Sequence, residues 1–161
     1  MKMFAIVAVV AAAGFWSARP DEGKIPLDQV PAKVKAAVEG RFPGAKLTGA
    51  EREKEGDKLV YEIALTIGGS KVEALVSDAG AILEVEREID AAALPKSVKA
   101  ALEAKHPQAK IKKAEEVIKG GDLFYEAVVS ADQKDLEIKF AAEWRIASES
   151  TIESKSNEGK K

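Results

Sequence analysis

The sequence predicts an α+β fold of two tandem units, each a helix followed by a four-stranded antiparallel meander. The sheets are joined edge to edge, with both helices on one face. Three observations predict it. First, the stretch Pro31–Lys46 returns as Pro95–Lys110, displaced by 64 residues. Gly56, Leu59, Tyr61, Glu62, Glu73 and Ile82 likewise align with Gly120, Leu123, Tyr125, Glu126, Glu137 and Ile146. Positions 31 to 82 hold 17 identities at this one offset without a gap, and a fixed-period self-match makes each copy one structural unit. Second, within each copy the apolar period changes from helical to alternating. Third, a unit of about 60 residues buries only about 60% of its unfolded surface and is marginal alone. Two such units must therefore share a core or pair their sheets.

In the first copy Arg19–Lys24 reads as a polar linker. A helix begins near Leu27–Pro31, with Asp28 as its N-cap and Pro31 in its first turn. Val30, Val34, Ala37 and Val38 form a narrow apolar stripe, and Lys33, Lys35, Glu39 and Arg41 lie on the solvated side. The helix ends by Phe42, because Pro43 disfavours helical geometry in the residue before it. A weaker strand runs over Lys46–Glu53. Leu59, Tyr61, Ile63, Leu65 and Ile67 then alternate with Val60, Glu62, Ala64 and Thr66, the pattern of a half-buried strand. Gly68-Gly69 makes a hairpin turn, Val72, Ala74 and Val76 continue the alternation, and Asp78-Ala79-Gly80 turns into a strand over Ile82–Ile89.

The second copy keeps this order. Leu94, Val98, Ala101 and Leu102 form the helix stripe, and His106-Pro107 ends it. Strands are predicted over Lys110–Ile118, Leu123–Ser130, Asp135–Phe140 and Trp144–Ser148. Trp144 stands at the position of Gly80, so that turn must differ in geometry.

The ends and the composition bound the setting. Lys2, a 14-residue apolar run from Met3 to Trp16 and small residues behind it read as a signal peptide over residues 1–18, cleaved near 13–18. That run falls short of the roughly 20 residues that span a bilayer, so no stable membrane span is expected after cleavage. The units are assigned to 25–90 and 91–150, with a polar tail at 151–161. The chain has no cysteine, which excludes a disulfide framework and a thiol nucleophile. Export without disulfides suits a bacterial periplasm or exterior. Removing Lys2 changes the formal charge from -2 to -3, and that mild acidity argues against nucleic acid as partner.

Little in the sequence points to catalysis. His106 is the only histidine and reads as a capping or packing residue at a helix end, so neither a serine nucleophile with its base nor a zinc set is expected. Gly68-Gly69-Ser70-Lys71 is a hairpin and not a phosphate loop, because no helix follows it. Glu84, Glu86 and Glu88 alternate on one strand face; that pattern could hold a metal or cation, but it reads first as a solvated strand edge. No catalytic residue, cofactor or metal site is assigned.

A short helix ending in Phe42-Pro43 or His106-Pro107, then Tyr61-Glu62 or Tyr125-Glu126 on a strand, then Asp78-Ala79-Gly80 before a last strand, resembles the PepSY-like family. That family is related in fold to the beta-lactamase inhibitor protein. The resemblance covers residues from Pro26 to about Ser150 and implies an exported, non-catalytic binding module. Such a module would regulate or inhibit a peptidase or other envelope protein through the open face of its sheet. The alternative is an envelope module that senses a small ligand or cation.

Strand parity names the residues of that face. If Leu59, Tyr61, Ile63, Leu123 and Tyr125 face the core, then Val60, Glu62, Glu73, Phe124, Glu126, Val128, Glu137 and Lys139 face out. Glu62, Glu73, Phe124, Glu126, Glu137 and Trp144 are the candidate partner-binding residues. Phe124 and Trp144 are either exposed aromatics for a partner or the filling of a core between the copies.

Overall fold

The computed structural model describes residues 23–141 and 145–152. The predicted signal segment, Trp144 and the tail beyond Ile152 lie outside the described residues. In chain order the elements are β1 (Gly23–Lys24), a 3-10 turn (Leu27–Gln29), α1 (Ala32–Arg41), β2 (Lys46–Glu55), β3 (Lys58–Ile67), β4 (Ser70–Ser77) and β5 (Ile82–Ile89). A second 3-10 turn (Ala91–Ala93), α2 (Lys96–Lys105), β6 (Lys110–Lys119), β7 (Asp122–Ala131), β8 (Lys134–Phe140) and β9 (Ile146–Ile152) follow. The strands form one antiparallel sheet in which each pairs with the next, β1 to β9. The sequence suggested up to eight strands. The ninth is β1, cut from the expected polar linker, where Gly23 pairs with Arg52 and Lys24 with Glu51.

The helix ends follow local chemistry. Asp28 does not cap α1 as expected; it lies in the 3-10 turn, and Pro31 takes the N-cap position without a side-chain cap. In the second half Asp90 does cap, accepting from the Ala92 N–H at 2.7 Å, but it caps the 3-10 turn. Phe42 and His106 close the two helices, donating their N–H groups to Val38 and Leu102 at 2.8 and 2.7 Å, each just before a proline. The β3–β4 hairpin turns on Gly68 and Gly69, both at positive φ. The β7–β8 hairpin makes the same kind of turn with Asp132 and Gln133 at φ 49° and 63°.

Register carries both cores onto one face of the sheet. Tyr61, Ile63 and Leu65 lie opposite Val76, Ala74 and Val72, and with Val34 and Val38 of α1 they form the first core. Ala74 faces Val85, Val85 faces Ile118, and Arg87 faces Glu116, which faces Tyr125. Tyr125, Ala127 and Val129 pack with Val98 and Leu102 of α2 in the second core, on the same side as the first. Leu123, expected in the core, is 42% exposed. It pairs with Ile118 near the end of the β6–β7 hairpin, and neither belongs to a core cluster.

The β5–β6 ladder joins the halves through six residue pairs, from Glu84 with Lys119 to Ile89 with Ala114. Its position explains a difference between them. Phe42 and Val85 belong to the first core. Their counterparts 64 residues on, His106 and Glu149, are hydrogen-bonded at 2.7 Å, and Lys105 forms an ion pair with the same carboxylate at 2.9 Å. Strand β5 is covered on both sides, whereas β9 ends the sheet, so the same position is apolar inside and ionic at the rim. His106 thus does more than cap or pack: it ties α2 to the last strand. Hydrogen bonds from Lys105 and His106 hold the Glu149 carboxyl below its ordinary range.

Gly80 sits at φ +88°, where an added Cβ would lie 3.0 Å from the carbonyl oxygen of Lys33 in α1. Gly80→Ala is therefore expected to cost about 1–3 kcal/mol in urea unfolding. Gly40 is helical with open space around it, and Ala104 already fills the matching place in α2. Gly40→Ala should stabilise by about 0.5–1 kcal/mol.

Candidate protein-binding face

The face of the sheet opposite the helices is built by the alternate residues of every strand. Along one row Glu51 faces Glu62, Glu62 faces Leu75, Leu75 faces Glu84, and Glu84 faces Lys119. The next row runs from Glu73 through Glu86 and Val117 to Phe124. A third runs from Glu88 through Glu115 and Glu126 to Lys139. Glutamates from both halves thus meet in the middle of the sheet.

Lysines answer some of them. Lys119 reaches Glu84 at 2.6 Å, Lys113 reaches Glu115 at 2.7 Å, and Lys71 reaches Glu88 at 3.1 Å. Lys139 serves Glu126 at 2.8 Å and Glu137 at 3.4 Å. Glu62, Glu73 and Glu86 form no ion pair among the described residues. Glu86 stands at the centre: its carboxylate lies within 4.8 Å of those of Glu73 and Glu115, and also of those of Glu84 and Glu126. A depression of about 140 Å³ opens there, lined by Lys71, Glu73, Glu86, Glu88, Lys113 and Glu115.

The electrostatics follow from this crowding. Burial, then the charges of Glu126, Glu115, Glu84 and Glu73, push the Glu86 carboxyl up to about 8. Burial, then Glu73, Glu53 and Glu51, push Glu62 up to about 7. Burial also raises Glu126, against the hydrogen bond and charge of Lys139. For Lys139 and Lys113 burial works to lower the pKa, but the glutamates beside them outweigh it and hold both above the ordinary value. Half-buried like charges within a few ångströms repel strongly, and a face that carries them is suited to a cationic partner or to a metal ion with oxygen ligands.

The predicted face residues fall as follows. Glu62, Glu73, Phe124, Glu126 and Glu137 all lie on this side of the sheet by register. Phe124 is half-buried rather than an exposed aromatic. Val60 was expected to meet water, yet it is 1% exposed, and Val117 only 2%. This side therefore has an apolar floor beneath its charges. Glu115 and Glu126 are themselves buried.

Glu84, Glu86 and Glu88 are not on a sheet edge, because β5 is paired on both sides. Their neighbour Glu115 escaped notice, although it matches Glu51 at the 64-residue offset and shares the outward parity of its strand.

A proton on Glu86 is held in the fold up to about pH 8, whereas an unfolded glutamate releases it near 4.5. The unfolded chain thus ionises first, and stability is expected to fall as pH rises between these values. Glu86→Gln should flatten that decline, as read from the melting temperature across pH 4.5–8.

Comparison with known proteins places this geometry. A family model described as "Peptidase propeptide and YPEB domain" matches residues 24–92, and one described as "Putative beta-lactamase-inhibitor-like, PepSY-like" matches residues 60–148. No curated protein matches the chain. Among solved structures it is similar to a DUF2874 family protein of Bacteroides uniformis, with TM-score 0.65 and 15% identity, covering 79% of this chain and 93% of that one. A "putative periplasmic" protein of Bacteroides eggerthii gives 0.65 and 13%, covering 76% and 89%. A BLIP-like protein of Bacteroides fragilis gives 0.61 and 14%, covering 83% and 92%. At these identities the likeness is one of fold.

Proposed function

The chain belongs to the PepSY-like, beta-lactamase-inhibitor-like family, and from that membership and the acidic face we propose that it is an exported, non-catalytic module that binds a protein partner. The observation that carries the proposal is the convergence of glutamates from both halves on one half-buried side of the sheet. A surface of this kind favours a partner that presents lysine or arginine, and steers its approach through charge. Leu75 and Phe124 add apolar contact within the acidic rows. We read the two halves as duplicated units, over 25–90 and 91–150, whose fusion doubles the width of the binding side.

The setting we infer is a bacterial periplasm or exterior. The leading segment reads as a signal peptide, a relative in fold is described as periplasmic, and no helix among the described residues is long and apolar enough to cross a membrane. The partner we infer is a peptidase or another envelope enzyme, which the module regulates or inhibits. The match of residues 24–92 to a family described by peptidase propeptides supports this choice. His106, the single histidine, is engaged with Glu149 on the helix side, away from the acidic face.

A second reading is favoured by one observation, the place of Glu86 in two carboxylate triads. In that reading the face holds a divalent cation such as calcium, bound through glutamate oxygens.

The two are separated by one experiment on the processed protein used as bait on an envelope fraction. Glu73→Lys is expected to lose a captured enzyme without lowering the melting temperature, and Phe124→Ala to lose it at some cost in stability, since Phe124 is half-buried. Raised salt should weaken the capture, since exposed charges are screened. Capture that survives both variants would overturn docking through this face. Calcium-dependent stabilisation that disappears in Glu86→Gln, with an empty capture lane, would favour the cation.

A further inference from the structure

The sheet treats its two outer edges differently. At the first edge, β1 pairs with β2 at Glu51 and Arg52. At the other edge, β9 has no neighbour on its outer side among the described residues. Strand β5 occupies the matching place in the first half, and its outer side is fully engaged by β6. Free strand edges invite pairing, and monomeric proteins usually blunt them with lysine, proline, a bulge or an inward charge; the bulge of β9 lies at its start and leaves Ser148–Ile152 regular. Strand β9 reads Ile-Ala-Ser-Glu-Ser-Thr-Ile, with neither lysine nor proline. Its one charge, Glu149, is already engaged by Lys105 and His106. None of its residues is buried, and no strand among the described residues pairs with its outer side.

We propose that β9 is a self-association edge, pairing antiparallel with β9 of a second copy about a two-fold axis through Ser150. Several features choose this register. The bulge at Ala147, between the Phe140–Ile146 and Lys139–Ser148 pairs, leaves Ser148–Ile152 as the regular segment. Pairing that keeps the helices of both copies on one side must oppose residues of like parity. With the axis at Ser150, Thr151 meets Glu149 of the other copy and Ile152 meets Ser148, so no like charges are opposed. An axis at Glu149 would set that carboxylate against itself, which is unfavourable across a strand pair. The result is an isologous dimer with one continuous sheet, and it repeats between copies the edge pairing that β5 and β6 make within one. The inference does not rest on the acidic face as a binding site.

Sedimentation equilibrium of the processed protein, from micromolar to millimolar concentration, tests it. A concentration-dependent dimer is expected. Ser150→Lys opposes two ammonium groups at the axis and should weaken the dimer about fivefold. Ser150→Glu should do the same, while an equimolar mixture of the two variants should form the dimer again. Ser150 is exposed, so both variants are expected to melt with the parent. A monomer throughout the concentration range, a dimer indifferent to Ser150→Lys, or a mixture that stays monomeric would each overturn the proposal. Failure of the capture experiment above would leave it standing.

Discussion

Six residue pairs between β5 and β6 hold the structure together in a way that no other ladder does. Each half has its own helix and its own apolar cluster, and each is near the size at which a single core becomes marginal. Edge pairing removes one free edge from each half and makes the two meanders one sheet. The two cores stay separate on the helix side, where an ion pair between Arg87 and Glu116 sits at the junction. The halves are therefore coupled through the sheet, and what the sheet brings together on its other side is a consequence of that ladder.

That consequence is charge. Glu84, Glu86 and Glu88 come from the first half, and Glu115 and Glu126 from the second. They approach only because β5 and β6 are neighbours. Five lysine contacts offset part of the repulsion, and raised pKa values at Glu86 and Glu62 relieve more of it by retaining protons. A folded protein has no structural need for such crowding, since apolar side chains at Glu86 or Glu62 would pack over Val117 and Val60 without it. The retained cost is the physical reason to look for function on this side.

Much of the fold was legible because it is local. The shift from helical to alternating period marked α1, α2 and the strands, and the prolines after Phe42 and His106 marked the helix ends. Strand β5 lies where the alternation placed it. Strand β1 was missed because two residues, one of them glycine, carry no period; only their partners Arg52 and Glu51 define them. Asp28 has the chemistry of a cap for α1, but a sequence does not show that a 3-10 turn intervenes.

The site was legible in parity but not in environment. Alternation placed Glu62, Glu73, Phe124, Glu126 and Glu137 on the side away from the helices. It could not show that Val60 and Val117 lie buried there, because burial on that side depends on long side chains from neighbouring strands. Nor could it show that β5 is interior, which made three glutamates look like a solvated rim. Those facts depend on which strand follows which in space.

The character of the open face depends on Glu86 being packed among carboxylates contributed by both halves. Carbon-13 NMR of its side-chain carboxyl, followed through a pH titration of the folded protein, reads this directly. A midpoint near 8 is expected. A midpoint near the ordinary 4.5 would mean that Glu86 is neither half-buried nor crowded by the carboxylates around it, and would contradict the account.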